Sequence, residues 1–155
     1  MRKYKILGHV VYFLSKPIQW FFLKHRPPRA YVQIEHKSQI LLVRNWLGSG
    51  KWSYPGGGVH KNEDPKVGAC RELFEEISLK VKPDDLEKVT SGLTRYIIGG
   101  KRFIIYKLTL DTKPTIIIDS ELTGFMWVDS REMENFKITN EVKVAQAESK
   151  PSNLL

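Results

Sequence analysis

Cysteine is nearly absent: Cys70 is the only one in 155 residues. That excludes an intrachain disulfide framework and a cysteine-based zinc site, and it fits a reducing cytoplasm. Long hydrophobic runs are missing too. The apolar, aromatic stretches at residues 6–14 and 18–23 fall short of the roughly 18–20 residues that span a bilayer, and Pro17 interrupts any helix that would join them. No small-residue cleavage site follows them, only Lys24-His25-Arg26-Pro27-Pro28, which argues against a secretory signal. Acid is lacking from the whole start of the chain, where Glu35 is the first carboxylate. Residues 1–29 hold seven of the 25 Lys and Arg residues, whereas the remainder carries 18 basic against 17 acidic residues. The body is therefore almost neutral and gives no strong indication of a basic face for reading nucleic acid, so no stable nucleic-acid partner is expected.

What is present divides into three parts. Residues 1–28 form a basic, aromatic extension, expected to be helical. It either covers an apolar patch on the domain or on a second copy in a homodimer, or lies as a peripheral contact on an anionic membrane surface. Pro27-Pro28 marks a stiff boundary. Residues 29–142 form the domain proper, and 143–155 read as a polar, frayed tail. Hydrophobic residues at 41% and charged residues at 27% are an ordinary globular balance, which excludes global disorder.

Within the body, Ala30–Glu35 alternates as a strand and Gln39–Arg44 is a short buried-strand run. A glycine-rich loop extends from Asn45 through Gly58. The strongest helix spans Pro65–Ile77, with Asp64 as its cap and Pro65 at its first position. Leu93–Ile98 and Lys101–Leu110 flank Gly99-Gly100 as a hairpin. Thr115–Ile118 and Gly124–Val128 are further strand candidates, and residues 130–136 a short helix. Several strands around one dominant helix imply an α/β sandwich with helices on the faces of a mixed sheet.

At about 100° per residue, Val67, Cys70, Phe74 and Ile77 fall on one stripe of that helix, with Leu73 at its edge. Glu72, Glu75 and Glu76 fall roughly opposite, and their spacing makes them neighbours. Three like charges so close repel unless something neutralises them. A solvated face with Arg71 helping Glu75 is the plain explanation. The preceding Gly56-Gly57-Gly58 adds another, because glycine lets backbone approach a ligand closely and carbonyls can join carboxylates around a hard cation such as Mg²⁺ or Mn²⁺.

These residues also carry a family resemblance. Gly57, Glu63 and the run Arg71-Glu72-Leu73-Phe74-Glu75-Glu76-Ile77-Ser78-Leu79 resemble the Nudix box, matching eight of its nine defined positions over 23 residues. The lead-in from Trp52 to Val59 is similar as well. The departure is Ser78, which stands where the family has glycine; a serine in the left-handed conformation expected there costs on the order of 1 kcal/mol. His60 departs from a position often acidic in relatives and is read as a solvated loop residue.

The resemblance implies an α/β/α sandwich and an Mg²⁺-dependent hydrolase (Mn²⁺ being the other candidate) that cleaves a phosphoanhydride in a nucleoside diphosphate linked to another moiety. Glu72, Glu75, Glu76 and the Gly57 carbonyl would hold the metal. Arg71 would orient the glutamates and Glu63 would support the loop and helix. Glu72 or Glu76 would serve as general base, with Asp119 and Glu121 as outside candidates. Arg44, Trp52, Tyr54 and Arg95, and beyond them Trp46 and Tyr96, are candidates to touch a small nucleotide-derived substrate. The competing class is a non-catalytic Nudix domain that binds nucleotides or a protein.

Overall fold

A computed structural model describes residues 27–46, 50–95 and 100–149. Its sheet contains β1 (Arg29–His36), β2 (Gln39–Asn45), β3 (Gly56–Gly58), β4 (Glu87–Arg95), β5 (Gly100–Thr109) and β6 (Leu122–Asp129). Two helices, α1 (Pro65–Ile77) and α2 (Asn140–Ser149), accompany it, with short 3₁₀ turns at Pro83–Asp85 and Met133–Asn135. The helical extension expected over residues 1–28 lies, through residue 26, outside the described residues. Among the described residues no helix is long and apolar enough to cross a membrane.

The strand order is β4-β5-β1-β2-β6, with β3 added against β1. β5 runs parallel to β1, whereas the other pairings are antiparallel, so the sheet is mixed. Its side chains alternate between two cores, as the two-residue period of a strand requires. Ala30, Val32, Ile34, Leu41, Val43, Tyr106 and Leu108 point to the face covered by α1. Tyr31, Ile40, Leu42, Phe103 and Ile105 point to the face covered by Val142 and Ala145 of α2. Burial on both faces explains why these strands read as near-continuous apolar runs, and it gives the expected α/β/α sandwich.

One edge of β1 is shared between two partners. Glu35 and His36 pair with Ile40 and Gln39, while Arg29, Ala30 and Tyr31 pair with Gly58, Gly57 and Gly56. β2 thus departs from β1 after the first turn and continues against β6, and the glycine strand fills the gap that it leaves. This wedge sets the position of the site.

Helix α1 starts where the sequence places it. The Asp64 side chain accepts from the Lys66 N–H at 2.8 Å, and Pro65 occupies the first turn. Its facing differs from the expected stripe. Gly68, Ala69, Leu73, Glu76 and Ile77 are buried, whereas Val67 and Phe74 are 47% and 48% exposed. The buried face is rotated by about a third of a turn from the apolar stripe, with Leu73 and Ile77 kept inside, because small residues permit close packing and Glu76 has an internal partner.

Three further expectations are corrected. Thr115–Ile118 is not a strand: the Ile117 and Asp119 N–H groups donate to the Ile77 and Glu76 carbonyls (3.3 and 3.0 Å), closing the end of α1 instead of extending the sheet. β4 begins at Glu87, six residues before the expected start. The expected frayed tail from residue 143 is helical through Ser149, because Val142 and Ala145 are fully buried and anchor α2.

Candidate active site

The site grows from the contact between α1 and the glycine strand. Gly56 has φ +134°, and a Cβ there would meet backbone, including Tyr31 Cα at 2.8 Å. Its N–H donates to Glu76 Oε2 at 2.8 Å in a buried hydrogen bond. A Cβ on Gly57 would collide with the Glu72 carboxylate. The two glycines therefore bring backbone to within touching distance of two acids one helical turn apart.

Glu76 is 7% exposed. Burial pushes its carboxyl up to about 7, and the charges of Glu72 and Glu121 push the same way; the Gly56 hydrogen bond and Arg29 offset part of the rise. A buried acid crowded by two others is a place where a cation relieves repulsion.

Arg71 holds the surrounding carboxylates. Its Nε donates to Glu63 Oε1 at 3.0 Å. Nη1 donates to Glu72 at 2.9 Å and to Glu75 at 2.8 Å. Nη2 donates to the Gly58 carbonyl at 2.8 Å and to Glu63 Oε2 at 3.1 Å. Every face of the guanidinium is occupied, and its pKa is raised further, led by the hydrogen bonds to Glu63. In return the Glu63 carboxyl is lowered to about 2, by Arg71 first and then by the His60 N–H, which donates to it at 2.7 Å. Glu63 also lies under α1, since a Cβ on Gly68 would sit 2.9 Å from its Oε2. The His60 ring is 70% exposed, as a solvated loop residue would be.

The expected metal-binding acids are thus unequal. Glu72 and Glu76 converge on Gly56-Gly57. The Glu75 side chain is 54% exposed and turned toward Arg71. Among the described residues no three acid, histidine or cysteine side chains converge on one point. Two carboxylates with nearby carbonyls still suit Mg²⁺, which is commonly held by one or two protein carboxylates and completes its octahedron with water and substrate phosphate. The donor set, all hard oxygen, fits that ion.

The expected substrate residues disperse. Arg44 stacks over the Trp52 ring at 4.9 Å and donates to Thr123 Oγ1 at 3.2 Å, pairing an exposed cation with a half-buried aromatic. The Trp52 backbone N–H donates to the Lys137 carbonyl at 2.8 Å. Tyr54 is 1% exposed and belongs to the core beneath α2, where its ring packs the fold. Arg95 ends β4, and its side chain lies outside the described residues. Arg29 enters unexpectedly: it opens β1, bonds to Tyr31 Oη at 3.2 Å and lies within electrostatic reach of Glu72 and Glu76. In the sequence it merges with the basic extension, and its pairing with Gly58 leaves no local signal.

Comparison with known proteins gives a consistent result. A NUDIX domain model matches residues 24–147. An RNA pyrophosphohydrolase from Proteus mirabilis is 33% identical over 93 residues, 60% of this chain and 49% of that protein. Diphosphoinositol polyphosphate phosphohydrolase 2 from Rattus norvegicus is 32% identical over 116 residues, 72% of this chain and 57% of that protein. The chain therefore matches only about half the length of these relatives. The dihydroneopterin triphosphate pyrophosphohydrolase of E. coli has the same fold, with a TM-score of 0.69 at 16% identity, covering 80% of this chain and 94% of that one.

Proposed function

From the premise that the chain belongs to the Nudix family, we propose that it is a divalent-metal-dependent hydrolase acting on a phosphoanhydride bond in a nucleoside diphosphate linked to another group. The observation that carries this is the pair Glu72 and Glu76 set against Gly56-Gly57, with Glu76 buried and in no ion pair among the described residues. Glu72 and Glu76 are the proposed principal ligands of Mg²⁺ or Mn²⁺. The Gly57 carbonyl and Glu75 are the proposed additional ligands. A bound cation supplies neutralisation of phosphate oxygens and acidification of a water.

The protein's own groups perform the remaining work. Arg71 fixes Glu72 and Glu75 in position, and Glu63 fixes Arg71. The Gly56 N–H holds one oxygen of Glu76 and leaves the other available. Glu121 is the proposed proton acceptor. It lies within electrostatic reach of Glu76, its backbone carbonyl is pinned by the Trp46 N–H at 3.1 Å, and its carboxylate is engaged by neither Arg71 nor Gly56. Arg44 and Trp52 are proposed to meet the part of the substrate beyond the phosphates, by stacking and charge.

A screen of nucleoside diphosphate derivatives with Mg²⁺ and with EDTA tests the proposal. Turnover that requires metal and falls by at least about 100-fold in Glu76→Gln supports it. A variant that turns over like the parent would remove Glu76 from the mechanism.

A further inference from the structure

A cavity of about 450 Å³ opens on the α2 layer, where Phe136 and Ile138 line it and also pack into the core beneath that helix. Glu72 and Glu76 belong to α1, which covers the other face of the sheet, and neither lines this cavity. It is a place apart from the proposed metal centre.

Three lysines from three segments surround it. Lys51 lies before the glycine strand, Lys137 follows the 3₁₀ turn at Met133–Asn135, and Lys143 sits in the first turn of α2. Backbone ties these segments together. The Trp52 N–H donates to the Lys137 carbonyl at 2.8 Å, the Thr139 N–H to the Trp52 carbonyl at 2.9 Å, and the Lys143 N–H to the Thr139 carbonyl at 3.2 Å. Ile138, Val142 and Ala145 are buried and anchor the same stretch. A fixed frame thus holds the three ammonium groups around one space.

None of these lysines forms an ion pair among the described residues. Glu134 also lines the cavity. Three lysines against one glutamate leave a formal balance of +2. Lysines scattered singly are simply solvated, but a concavity lined by one sign of charge focuses a field that draws counter-ions. Phe136 and Ile138 give the same space an apolar wall. Its volume falls within the roughly 300–1,000 Å³ of small-molecule sites, which combine an apolar lining with a few polar groups. A phosphate monoester carries about −1.5 to −2 near pH 7, which matches the balance of charge, and its organic part would fill the room beside the apolar wall.

We propose that this cavity is a second binding site, for the phosphate monoester of a small ring-bearing molecule. The phosphate would lie among Lys51, Lys137 and Lys143, and the ring against Phe136 and Ile138. Glu134 would weaken the hold on the phosphate. The site needs no metal and does not depend on the hydrolase reading.

Calorimetric titration of the metal-free full chain tests it, with phenyl phosphate and orthophosphate as separate probes. Phenyl phosphate is expected to bind at least about threefold more tightly than orthophosphate, because only the ester buries a ring. Lys137→Gln combined with Lys143→Gln should lower phenyl phosphate affinity at least about tenfold, since both lost contacts are to a charged group. Glu134→Gln should raise it by about twofold, because a like charge is removed. Glu76→Gln should keep the parental affinity, which separates this site from the metal centre. A parent protein that binds no phenyl phosphate, parental affinity in the lysine double variant, equal affinity for the two probes, weaker binding in Glu134→Gln, or a loss in Glu76→Gln as large as in the double variant would each overturn the proposal. If the double variant does not fold, Lys143→Gln alone carries the test. Its side chain is exposed, a loss of about threefold is expected, and unchanged affinity overturns the claim.

Discussion

Ser78 has φ 57° and ψ 24°, the left-handed conformation that ends a helix, with its N–H on the Phe74 carbonyl at 3.0 Å. A side chain is strained there and glycine is not, so Ser78→Gly is expected to raise stability by about 1 kcal/mol, read from chemical denaturation. Equal or lower stability would mean that the serine hydroxyl compensates. Glu76 makes stability depend on pH in a stated direction. Its carboxyl is pushed from an ordinary 4.5 up to about 7, so between those values the folded chain binds more protons than the unfolded one. Metal-free stability should therefore fall as pH rises from about 4.5 to about 7, by up to roughly 3 kcal/mol, and level off above that. Glu76→Gln should remove this slope, and so should saturating Mg²⁺, which favours the ionised form; a slope that survives in the variant would assign it to other groups. Tyr54 carries a smaller test. Its hydroxyl is buried with no partner among the described residues, so Tyr54→Phe should stay within about 1 kcal/mol of the parent and leave substrate affinity unchanged. Weakened substrate binding would restore Tyr54 to the site.

Helix α1 shows what was legible in the sequence and what was not. Its limits follow from local chemistry, an Asp64–Pro65 start and a left-handed stop, and they match the expected Pro65–Ile77. Its facing depends on tertiary structure. Apolar periodicity assumes that acids seek water, yet Glu76 turns inward to the Gly56 N–H, and Phe74 and Val67 turn half outward. Strand β3 was invisible because three glycines carry no strand propensity; only its pairing with β1 makes it one. The two elements predict distinct effects for neighbouring substitutions. Gly56→Ala meets fixed backbone at a φ of +134° and should destabilise the fold by more than about 2 kcal/mol. Gly57→Ala meets only the Glu72 carboxylate, a side-chain end that can swing aside. It should keep a near-parental melting temperature while Mg²⁺ affinity drops, as measured by calorimetry. The opposite ranking in melting temperature would refute this division.

For the whole molecule, the sandwich was readable because alternation and apolar runs report which faces are buried, and residues buried on both sides imply layers above and below the sheet. The parallel pairing of β1 with β5, about 70 residues apart in sequence, leaves no local trace, nor does the sharing of one β1 edge between β2 and β3. That arrangement places Arg29 beside the glutamates and sends Tyr54 into the core. It also explains why Glu72 and Glu76 could be set beside the glycines from the box alone, while Arg44, Trp52 and Tyr54 lie apart from them. The central claim is that Glu72 and Glu76 form a metal-dependent hydrolytic centre on this scaffold. Phosphate release across a panel of nucleoside diphosphate derivatives, with Mg²⁺ and with EDTA, beside a folded Glu76→Gln control, tests it most directly. The account predicts turnover of at least one derivative that disappears with EDTA and collapses in the variant. Turnover that persists in EDTA, or that the variant retains in full, would contradict it.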